Sequence, residues 1–431
     1  MMSDDRFDVI IVGGGIAGTV AGYLLAREGL AVMLVERGNY AGSKNMTGGR
    51  IYSYGLGRIF PNFVQEAPLE RKITREKISL MTAESNVTLD FYSEMLGLPG
   101  SDSYSVLRGV FDQWLAEKAE EAGVQLVAGI RIDDLLVREG KVCGVIAGND
   151  ELEADITILA DGVNSLLAQK IGFCEELKPH QVSVGVKEVI GLPARVIEDR
   201  FGCREKEGTA WLFAGTPSGG RSGGGFLYTN KESISLGIVC TLSDLVNGTK
   251  SVPQLLEDFK QHPVLEPLLT GGELIEYSGH MVPEGGLAMV PRIVGDGILV
   301  VGDAAGFCLN LGYAVRGMDF AVVSAECAAK AVLAAKQAQD YSEASLTCYQ
   351  SFLDNSCVMK DLKHYKNFPH FLETTPRIFN RYPQLAADML TDLFVVNGQP
   401  AEPIMKKMLR HVKKVGLTNL AIDGWKGARS V

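Results

Sequence analysis

The chain begins with a glycine-rich turn between an apolar strand and a helix, and this turn constrains the fold more than any other feature. Residues 8–12 form an apolar run, and G-x-G-x-x-G follows at Gly13, Gly15 and Gly18. Gly13 permits the tight turn, Gly15 has no Cβ to obstruct a pyrophosphate, and Gly18 lets the helix lie close to the strand. A second apolar run ends at Glu36, whose carboxylate can accept two ribose hydroxyls. The sequence therefore predicts a dinucleotide-binding βαβ unit. A purely structural turn is the alternative, since the chain has 49 glycines.

Charge and cysteine usage exclude several classes of function. The formal net charge of −10 over 431 residues argues against nucleic acid as a main partner. The acidic N-terminus leads straight into the first strand, so we expect no signal peptide. No uncharged apolar stretch reaches the roughly 20 residues that span a bilayer. The 8 cysteines contain no C-x-x-C pair, which excludes the usual ligand spacing of a ferredoxin-type iron–sulfur cluster. We therefore expect a cytoplasmic protein with free thiols and no metal site.

The order of strand-like and helical patterns predicts an α/β protein in four segments. Residues 1–179 and 281–345 are expected to form two parts of one dinucleotide-binding domain. Between them, residues 180–280 contain longer β-like runs that suit a mostly antiparallel sheet. Residues 346–431 are expected to form a helical C-terminal region. The stretch from about residue 50 to residue 103 is expected to be less regular.

Three later segments place acidic or small residues where a flavin cofactor needs them. Asp161 follows a predicted strand, and loops at such strand ends face ligands in an α/β sheet. Gly302 and Asp303 also follow an apolar strand, where an acid can hold ribityl or ribose hydroxyls. Gly317 and Met318 open a long helix, whose N-terminal amides can point at the N1–C2=O edge of a flavin. Each segment alone can be an ordinary turn, but their order and separations favour the cofactor.

With these motifs in place, nearly the whole chain resembles a known family. It is similar to glutathione-reductase-type FAD flavoproteins, in the group of hydroxybenzoate hydroxylases and geranylgeranyl reductases. It more closely resembles the FixC flavoproteins, relatives of electron transfer flavoprotein:ubiquinone oxidoreductase. Further segments that carry the resemblance are residues 43–50, 104–108, 184–188, 223–230 and 413–416. The resemblance implies FAD as the cofactor and a Rossmann-like FAD-binding domain with an inserted β-rich domain for substrate or partner.

The resemblance also implies a role for each matching residue. The first turn would hold the pyrophosphate, Glu36 with Arg37 the adenosine end, and Asp303 the sugar-like chain. Arg108 would reach the cofactor from the start of a helix. No acidic partner for this arginine is apparent nearby in sequence, which favours a contact with the cofactor over the alternative, a solvated charge. The isoalloxazine would contact Gly317 and Met318. The predicted cofactor-binding set is Gly13, Gly15, Gly18, Glu36, Arg37, Gly48, Gly49, Arg50, Arg108, Asp161, Gly302, Asp303, Gly317 and Met318.

Arg316 is the candidate for tuning the flavin, and with Gly317 and Met318 it forms the predicted catalytic set. A guanidinium beside N1–C2=O would stabilise negative charge on the flavin through charge-assisted hydrogen bonds. A surface arginine that caps the preceding loop is the alternative. No nucleophile–base pair stands out, and His280 is expected to be a core or surface residue rather than an acid–base catalyst.

Two absences shape the predicted function. The quinone oxidoreductases that the chain resembles carry a C-terminal ferredoxin-like cysteine cluster, which is missing here, so the resemblance implies a separate ferredoxin-like iron–sulfur protein as a partner. A second G-x-G-x-x-G unit for NAD(P)H is also missing, and residues 161–168 lack the arginine usual in hydroxybenzoate-hydroxylase-like enzymes.

The resemblance thus implies an FAD oxidoreductase that takes electrons from a two-subunit electron transfer flavoprotein and passes them to the ferredoxin-like protein, a quinone, or both. The alternatives are an NAD(P)H-dependent flavin reductase or hydroxylase for a small or isoprenoid substrate, and a non-enzymatic flavin-binding subunit.

The C-terminal tail combines an apolar stripe with basic residues. In residues 404–415, apolar side chains recur with helical spacing from Met405 to Val415, and most of the others are basic. This face can dock an acidic ferredoxin-like partner or anionic lipid head groups. Binding to lipid would place the protein peripherally at the inner face of the membrane. A solvated helix packed on the main body is the alternative.

Overall fold

A βαβ unit formed by residues 6–36 organises the N-terminal part of the protein. The computed structural model describes residues 6–44, 48–246 and 248–431. Strand β1 (Arg6–Val12) pairs in parallel with β2 (Val32–Glu36), so that Val9 lies opposite Val32. Helix α1 (Ile16–Arg27) connects the two strands and begins directly after the glycine turn. The predicted βαβ unit is therefore confirmed.

The strands of the described residues form two large sheets and a short hairpin. After β1 and β2 they are β3 (Gly48–Tyr52), β4 (Leu69–Met81), β5 (Asn86–Tyr92), β6 (Ser103–Leu107), β7 (Gln125–Ala128), β8 (Asp134–Arg138), β9 (Lys141–Ala147), β10 (Asp150–Leu159), β11 (Val182–Gly191), β12 (Glu207–Gly215), β13 (Gly223–Thr229), β14 (Ser233–Thr241), β15 (Glu273–Pro283), β16 (Val294–Gly295), β17 (Ile298–Val300), β18 (Leu309–Asn310) and β19 (Val315–Arg316).

The α-helices cover the sheets and make up most of the C-terminal region. After α1 they are α2 (Ser53–Ile59), α3 (Phe63–Glu66), α4 (Arg108–Glu121), α5 (Leu166–Lys170), α6 (Ala194–Phe201), α7 (Leu242–Leu245), α8 (Val252–Lys260), α9 (Glu266–Leu269), α10 (Met318–Ala338), α11 (Glu343–Leu346), α12 (Cys348–Asn355), α13 (Cys357–His364), α14 (Phe368–Thr374), α15 (Arg377–Asn380), α16 (Tyr382–Phe394), α17 (Ile404–Val415) and α18 (Leu417–Ala428). Within the described ranges, none of these helices has both the length and the apolar character needed to cross a membrane.

The first sheet brings the cofactor motifs to one edge. Its strand order is β16-β17-β10-β1-β2-β7, with β9 beside β10 and β8 beside β9. β1 is parallel to β2 and to β10, and β10 is parallel to β17. Because the carboxyl ends of parallel strands meet at the same edge, the turns after β1, β10 and β17 lie together. These turns hold Gly13, Asp161 and Asp303, which are far apart in sequence.

The second sheet is mostly antiparallel, with the strand order β15-β11-β14-β13-β12-β4-β6-β3 and with β5 beside β4. The pairing of β4 with β12 is parallel. The sheet includes strands from residues 48–107 as well as from residues 182–283. The prediction of a less regular stretch at residues 50–103 is therefore wrong. The prediction failed because the long strand β4 buries a charged side chain: Arg71 donates hydrogen bonds to the carbonyls of Asn230 and Lys231. An alternating apolar pattern cannot reveal such a strand.

Two apolar cores leave a space between the sheets. The first core packs α1 and α10 with the parallel sheet and includes Ile10, Leu34 and Phe320. The second packs α6 and α8 on the outer face of the antiparallel sheet, with Trp211 and Phe213 of β12. Successive side chains of a strand point to opposite faces, so Leu212 and Ala214 point away from the second core. The predicted α/β fold, with an antiparallel β region and a helical C-terminal region, is confirmed.

Candidate cofactor and electron-transfer site

A cavity of about 1230 Å³ lies between the two sheets. Single-ligand pockets usually measure about 300–1,000 Å³, so this cavity has room for a large cofactor and a second molecule. Most of the predicted site residues line it: Gly13, Gly15, Glu36, Arg37, Gly48, Gly49, Arg50, Arg108, Asp161, Asp303, Gly317 and Met318. Gly18, Gly302 and Arg316 do not line the cavity.

The glycine turn forms an open cradle at the N-terminus of α1. Gly13 has φ of +109°, which favours glycine, and a Cβ there would collide with the carbonyl of Ala160. A Cβ on Gly18 would collide with the carbonyl of Gly13, so this glycine permits close packing rather than ligand contact. A Cβ on Gly15, in contrast, would meet no protein atom within 4 Å. The open space beside free helix amides fits a pyrophosphate, as an FAD site requires.

The loop after β2 is held by the carboxylate of Glu36. Its Oε2 accepts a hydrogen bond from the N–H of Gly14 at 2.8 Å, and its Oε1 accepts one from the N–H of Gly38 at 2.5 Å. Arg37, which follows it, is exposed and also lines the cavity. Glu36 therefore fixes the two loops that border the adenosine end of the predicted site, with its carboxylate at the cavity wall.

Arg108 has an acidic partner, contrary to the expectation from sequence. Asp112, one turn further along α4, accepts hydrogen bonds from Nε at 2.8 Å and from the terminal guanidinium nitrogen at 2.7 Å. Burial raises the pKa of Asp112, and the facing guanidinium opposes that shift. The pairing leaves Arg108 at the cavity wall with a fixed orientation. Asp112 was overlooked as a partner because it lies within an apolar stretch that was interpreted only as a packing face.

Two acids stand at the carboxyl ends of adjacent parallel strands. Asp161 follows β10, and burial raises its pKa to about 6, while the hydroxyl of Ser165 donates to Oδ1 at 3.3 Å. Asp303 follows β17, and burial raises its pKa as well. The preceding Gly302 has φ of +61°, and a Cβ there would lie 2.8 Å from the Cβ of Ala17. Gly302 therefore allows the acid-bearing turn to approach α1 closely.

Strand β3 brings the segment of residues 43–50 to the cavity, of which residues 45–47 lie outside the described residues. Gly48, Gly49 and Arg50 line the cavity. A Cβ on Gly49 would lie 3.1 Å from Cε of Met318, so this glycine lets the start of α10 approach. Arg50 forms an ion pair with Glu76 at 2.5 Å and donates from Nε to the hydroxyl of Ser103 at 3.0 Å.

The start of α10 reaches the cavity through Gly317 and Met318, but the guanidinium of Arg316 has other partners. Its nitrogens donate to Asp319 and to Asp361, each at 2.6 Å, and to the hydroxyl of Tyr54 at 2.8 Å. The structure thus does not place Arg316 at the cavity wall, where it was expected beside the flavin. Asp319, in the first turn of α10, is only 1% exposed. A buried carboxylate requires a compensating charge. Arg316 connects the cofactor end of α10 to α13.

Replacing Arg316 with leucine should destabilise the protein. The change leaves Asp319 buried without its cation, and Oδ1 of Asp319 has no hydrogen-bond partner among the described residues. We expect the free energy of unfolding to fall by about 3 kcal/mol, measured by urea denaturation. The matched control is Arg58→Leu, which removes a half-exposed ion pair with Glu326. That variant should lose less than about 1 kcal/mol. Equal losses would contradict the role assigned to Arg316.

A large apolar part of the cavity went unpredicted. Strand register places Ile78, Leu212 and Phe226 in one row across β4, β12 and β13, and Leu80 beside Ala214 in the next. Residues of α14 and α15 complete this wall. We call this part of the cavity the apolar lobe. It is lined by Ile78, Leu80, Leu212, Ala214, Phe226, Tyr228, Phe371, Leu372, Ile378 and Phe379. The β-like runs in residues 180–280 predicted an antiparallel sheet, but the face that lines a cavity cannot be distinguished from a core face in sequence.

Titratable residues that were not predicted to belong to the site also line the cavity. Lys187 and His280 stand on β11 and β15, and Glu284 follows β15. Burial, together with the nearby Arg108, lowers the pKa of Lys187 to about 8. Burial, with Lys187 and Arg108, lowers the pKa of His280 to about 4. His280 therefore faces the cavity as a neutral ring. Its surroundings in sequence did not indicate this position.

Comparisons with protein families agree with this geometry. The model of FAD dependent oxidoreductases matches residues 8–169. The ubiquinone-binding model of ETF-QO, the electron transfer flavoprotein–quinone oxidoreductase, matches residues 182–282. The C-terminal domain model of the ETF-QO/FixC family matches residues 368–431. FAD as the cofactor and oxidoreductase as the enzyme class are thus confirmed.

Individual relatives cover the full chain. It is 56% identical over 431 residues to the probable electron transfer flavoprotein-quinone oxidoreductase YdiS of Escherichia coli (strain K12), covering 100% of both chains. It is 53% identical to protein FixC of the same strain, covering 99% of both. Among solved structures, a geranylgeranyl bacteriochlorophyll reductase-like protein from Thermoplasma acidophilum shares the fold, with a TM-score of 0.72 and 19% identity over 95% of this chain and 98% of that one. The chain belongs to the ETF-QO/FixC family and is an FAD-dependent oxidoreductase.

Proposed function

We propose that this oxidoreductase takes electrons from an electron transfer flavoprotein onto its FAD and passes them to a quinone. The observation that carries the proposal is that one cavity is lined both by the FAD cradle and by the apolar lobe. A quinone has an apolar ring and tail, so it suits such a lobe beside the cofactor. The ubiquinone-binding family match and the names of the relatives support this assignment.

Within this function, we propose how the predicted residues divide the work of binding FAD. Gly13 and Gly15 admit the pyrophosphate, and Glu36 with Arg37 borders the adenosine. Asp303 holds the sugar-like chain, and Gly317 with Met318 contacts the isoalloxazine. When bound, the cofactor supplies the electron chemistry, and the protein sets its position and access. Residues 1–179 and 281–345 would then form the FAD-binding domain, although strands of the two sheets alternate along the chain.

The electron donor can be identified by anaerobic stopped-flow spectroscopy of the flavin absorbance. The holoprotein is mixed separately with NADH, with NADPH and with reduced electron transfer flavoprotein. We expect rapid flavin reduction by electron transfer flavoprotein only. Rapid reduction by a pyridine nucleotide would favour the alternative, a flavin reductase or hydroxylase that acts on a small or isoprenoid substrate. No reduction by any donor would favour a non-enzymatic subunit.

We also propose a separate ferredoxin-like iron–sulfur protein as a partner, on the basis of the resemblance to FixC flavoproteins. Basic side chains on α17, including Lys406 and Lys414, are exposed and could meet an acidic partner. Co-expression followed by affinity purification tests this partner directly. Recovery of the chain without a ferredoxin-like protein would contradict this part of the proposal.

We propose that the tail surface rests on an anionic membrane. This surface is defined by five apolar residues: Phe394, Val396, Met405, Leu409 and Trp425. These apolar side chains are exposed, and Val396 is 93% exposed. Helix α17 packs on α16 through polar groups, since His411 contacts Asp392 at 2.7 Å and Lys407 donates to the carbonyl of the same residue. The apolar stripe is therefore left partly uncovered, with basic residues beside it, as in helices that bind membrane surfaces.

The double variant Phe394→Asp, Val396→Asp should bind anionic vesicles at least about tenfold more weakly, because it removes apolar area and adds repelled charge. Cosedimentation with anionic lipid vesicles measures the effect, and bound FAD should not change. The matched control is Leu274→Asp, an exposed apolar residue of β15. Unchanged vesicle binding in the double variant would contradict the membrane assignment and leave the protein partner as the occupant of this surface.

A further inference from the structure

Three titratable side chains line the cavity outside the FAD cradle: Lys187, His280 and Glu284. Strands β11 and β15 are antiparallel, with Gly185 opposite His280 and Ser278 opposite Lys187. Alternate residues of a strand share a face, so Lys187 and His280 stand on the same side of this strand pair. Glu284, four residues after His280, continues that face beyond the end of β15. The three side chains therefore form one polar edge of the cavity.

Glu284 lies between this polar edge and the protein surface. Its N–H donates to the carbonyl of Gln181 at 2.8 Å, in the turn of Pro179–Gln181. His180 of the same turn is exposed. On the other side, Nδ2 of Asn310 lies 3.5 Å from each carboxylate oxygen. Asn310 belongs to the β18–β19 hairpin that leads to Gly317, so Glu284 joins a surface turn to the loop at the start of α10.

The surroundings of Glu284 favour its protonated form. Burial raises its pKa to about 7, while hydrogen bonds from Asn310 and Ser183 oppose the shift. Cys308, the residue before the β18–β19 hairpin, is a titratable group near Glu284, and burial raises the pKa of its thiol well above the usual range. On β15, the strand that precedes Glu284, His280 is neutral near pH 7 because its pKa is lowered to about 4. No charged partner among the described residues fixes Glu284 as a carboxylate.

We propose that Glu284 donates a proton to the quinone that is reduced in this cavity. The proposal rests on the quinone function proposed above. Reduction of a quinone to a quinol takes two electrons and two protons. Both electrons and one proton come from the reduced cofactor, and the second proton comes from the carboxyl group of Glu284. The O–H bond of Glu284 breaks as a new O–H bond forms on the quinone oxygen, and solvent then reprotonates the carboxylate through the surface turn.

The test compares wild type with Glu284→Gln, which keeps the shape but removes the acid. Holoprotein is reduced chemically under anaerobic conditions and mixed with a short-chain ubiquinone, while flavin absorbance is followed. We expect the variant to be reoxidised about 100-fold more slowly, the usual contribution of a general acid. The wild-type rate should fall as pH rises through about 7, because Glu284 then loses its proton. The variant should lose this pH dependence.

A second readout does not depend on turnover. Infrared difference spectra of the oxidised holoprotein below and above neutral pH should show a protonated carboxyl band that disappears in Glu284→Gln. Glu273→Gln, an exposed carboxylate on β15, should keep the band, the rate and the pH profile of wild type. An unchanged rate and pH profile in Glu284→Gln would overturn the proton-donor role alone. Wild-type flavin that quinone fails to reoxidise would overturn the quinone function, and this proposal with it.

Discussion

Replacing Gly15 with aspartate should abolish FAD binding while the chain still folds. Gly15 is the N-cap residue of α1 with φ of −77° and ψ of −178°, a conformation that aspartate adopts readily, and a Cβ there meets nothing within 4 Å. The added carboxylate would occupy the cradle where the helix amides meet the pyrophosphate. Juxtaposed like charges cost several kcal/mol, so we expect FAD affinity to fall at least about 1000-fold.

The flavin absorbance of purified protein and titration of the apoprotein with FAD measure this loss. Thermal unfolding of the apoprotein should be unchanged, because no contact of the protein itself is broken. Gly57→Asp is the matched control, since a Cβ on Gly57 also meets nothing within 4 Å and this residue is exposed on α2. The control should retain FAD. Full FAD occupancy in Gly15→Asp would show that the pyrophosphate does not lie at this turn.

Enlarging Ala214 to tryptophan should block electron transfer to quinone without affecting the donor reaction. Ala214 lines the apolar lobe beside Leu80 on the antiparallel sheet, whereas the FAD cradle lies at the edge of the parallel sheet. An indole in the lobe would occupy the space that we assign to the quinone. Loss of a near-attack arrangement can cost several kcal/mol, so quinone-dependent reoxidation of the flavin should slow at least about 100-fold. Reduction by electron transfer flavoprotein should keep its wild-type rate.

Ala214→Val is the control at the same position, because it changes the volume far less. It should bind FAD and react with quinone at close to the wild-type rate. FAD content must be equal in both variants for the comparison to concern the lobe alone. If Ala214→Trp reduced quinone as fast as wild type, the quinone would have to bind elsewhere on the protein.

The sequence predicted the parts of the site that depend on local geometry. Gly13, Gly15 and Gly18 follow from what a tight strand–turn–helix connection requires, whatever surrounds it. Asp161 and Asp303 follow from the rule that ligands lie at the carboxyl ends of parallel strands. Since β1, β10 and β17 are adjacent in the sheet, these distant motifs do meet at one edge. Short-range patterns were therefore sufficient to predict that these motifs meet at one edge of the sheet.

The parts that failed depend on contacts between distant segments. Nothing near Arg316 in sequence reveals that Tyr54 and Asp361 converge on it, so its guanidinium was assigned to the flavin. Strand β4 was missed because its buried Arg71 satisfies its donors on carbonyls far away in sequence. The apolar lobe needs the register of β4 with β12 before its rows of side chains can be identified. Tertiary pairing, rather than local propensity, decides each of these features.

For the C-terminal tail, the sequence predicted the helix but left its packing open. The periodicity of residues 404–415 predicted an amphipathic helix, and α17 forms there. The structure adds that the helix is attached to α16 by polar contacts, among them the pair of His411 with Asp392. The attachment leaves Met405 exposed rather than buried against the main body. Amphipathicity alone could not distinguish a packed helix from one that presents its apolar side to a partner or a membrane.

A double-mixing experiment under anaerobic conditions tests directly whether this protein passes electrons from electron transfer flavoprotein to a quinone. The holoprotein is first reduced by electron transfer flavoprotein and then mixed with a short-chain ubiquinone, while flavin absorbance and quinol formation are recorded together. We expect the flavin to be reoxidised rapidly, with one quinol formed for each fully reduced flavin. A flavin that stays reduced in the presence of excess quinone would contradict the proposed transfer of electrons from FAD to a quinone in this cavity.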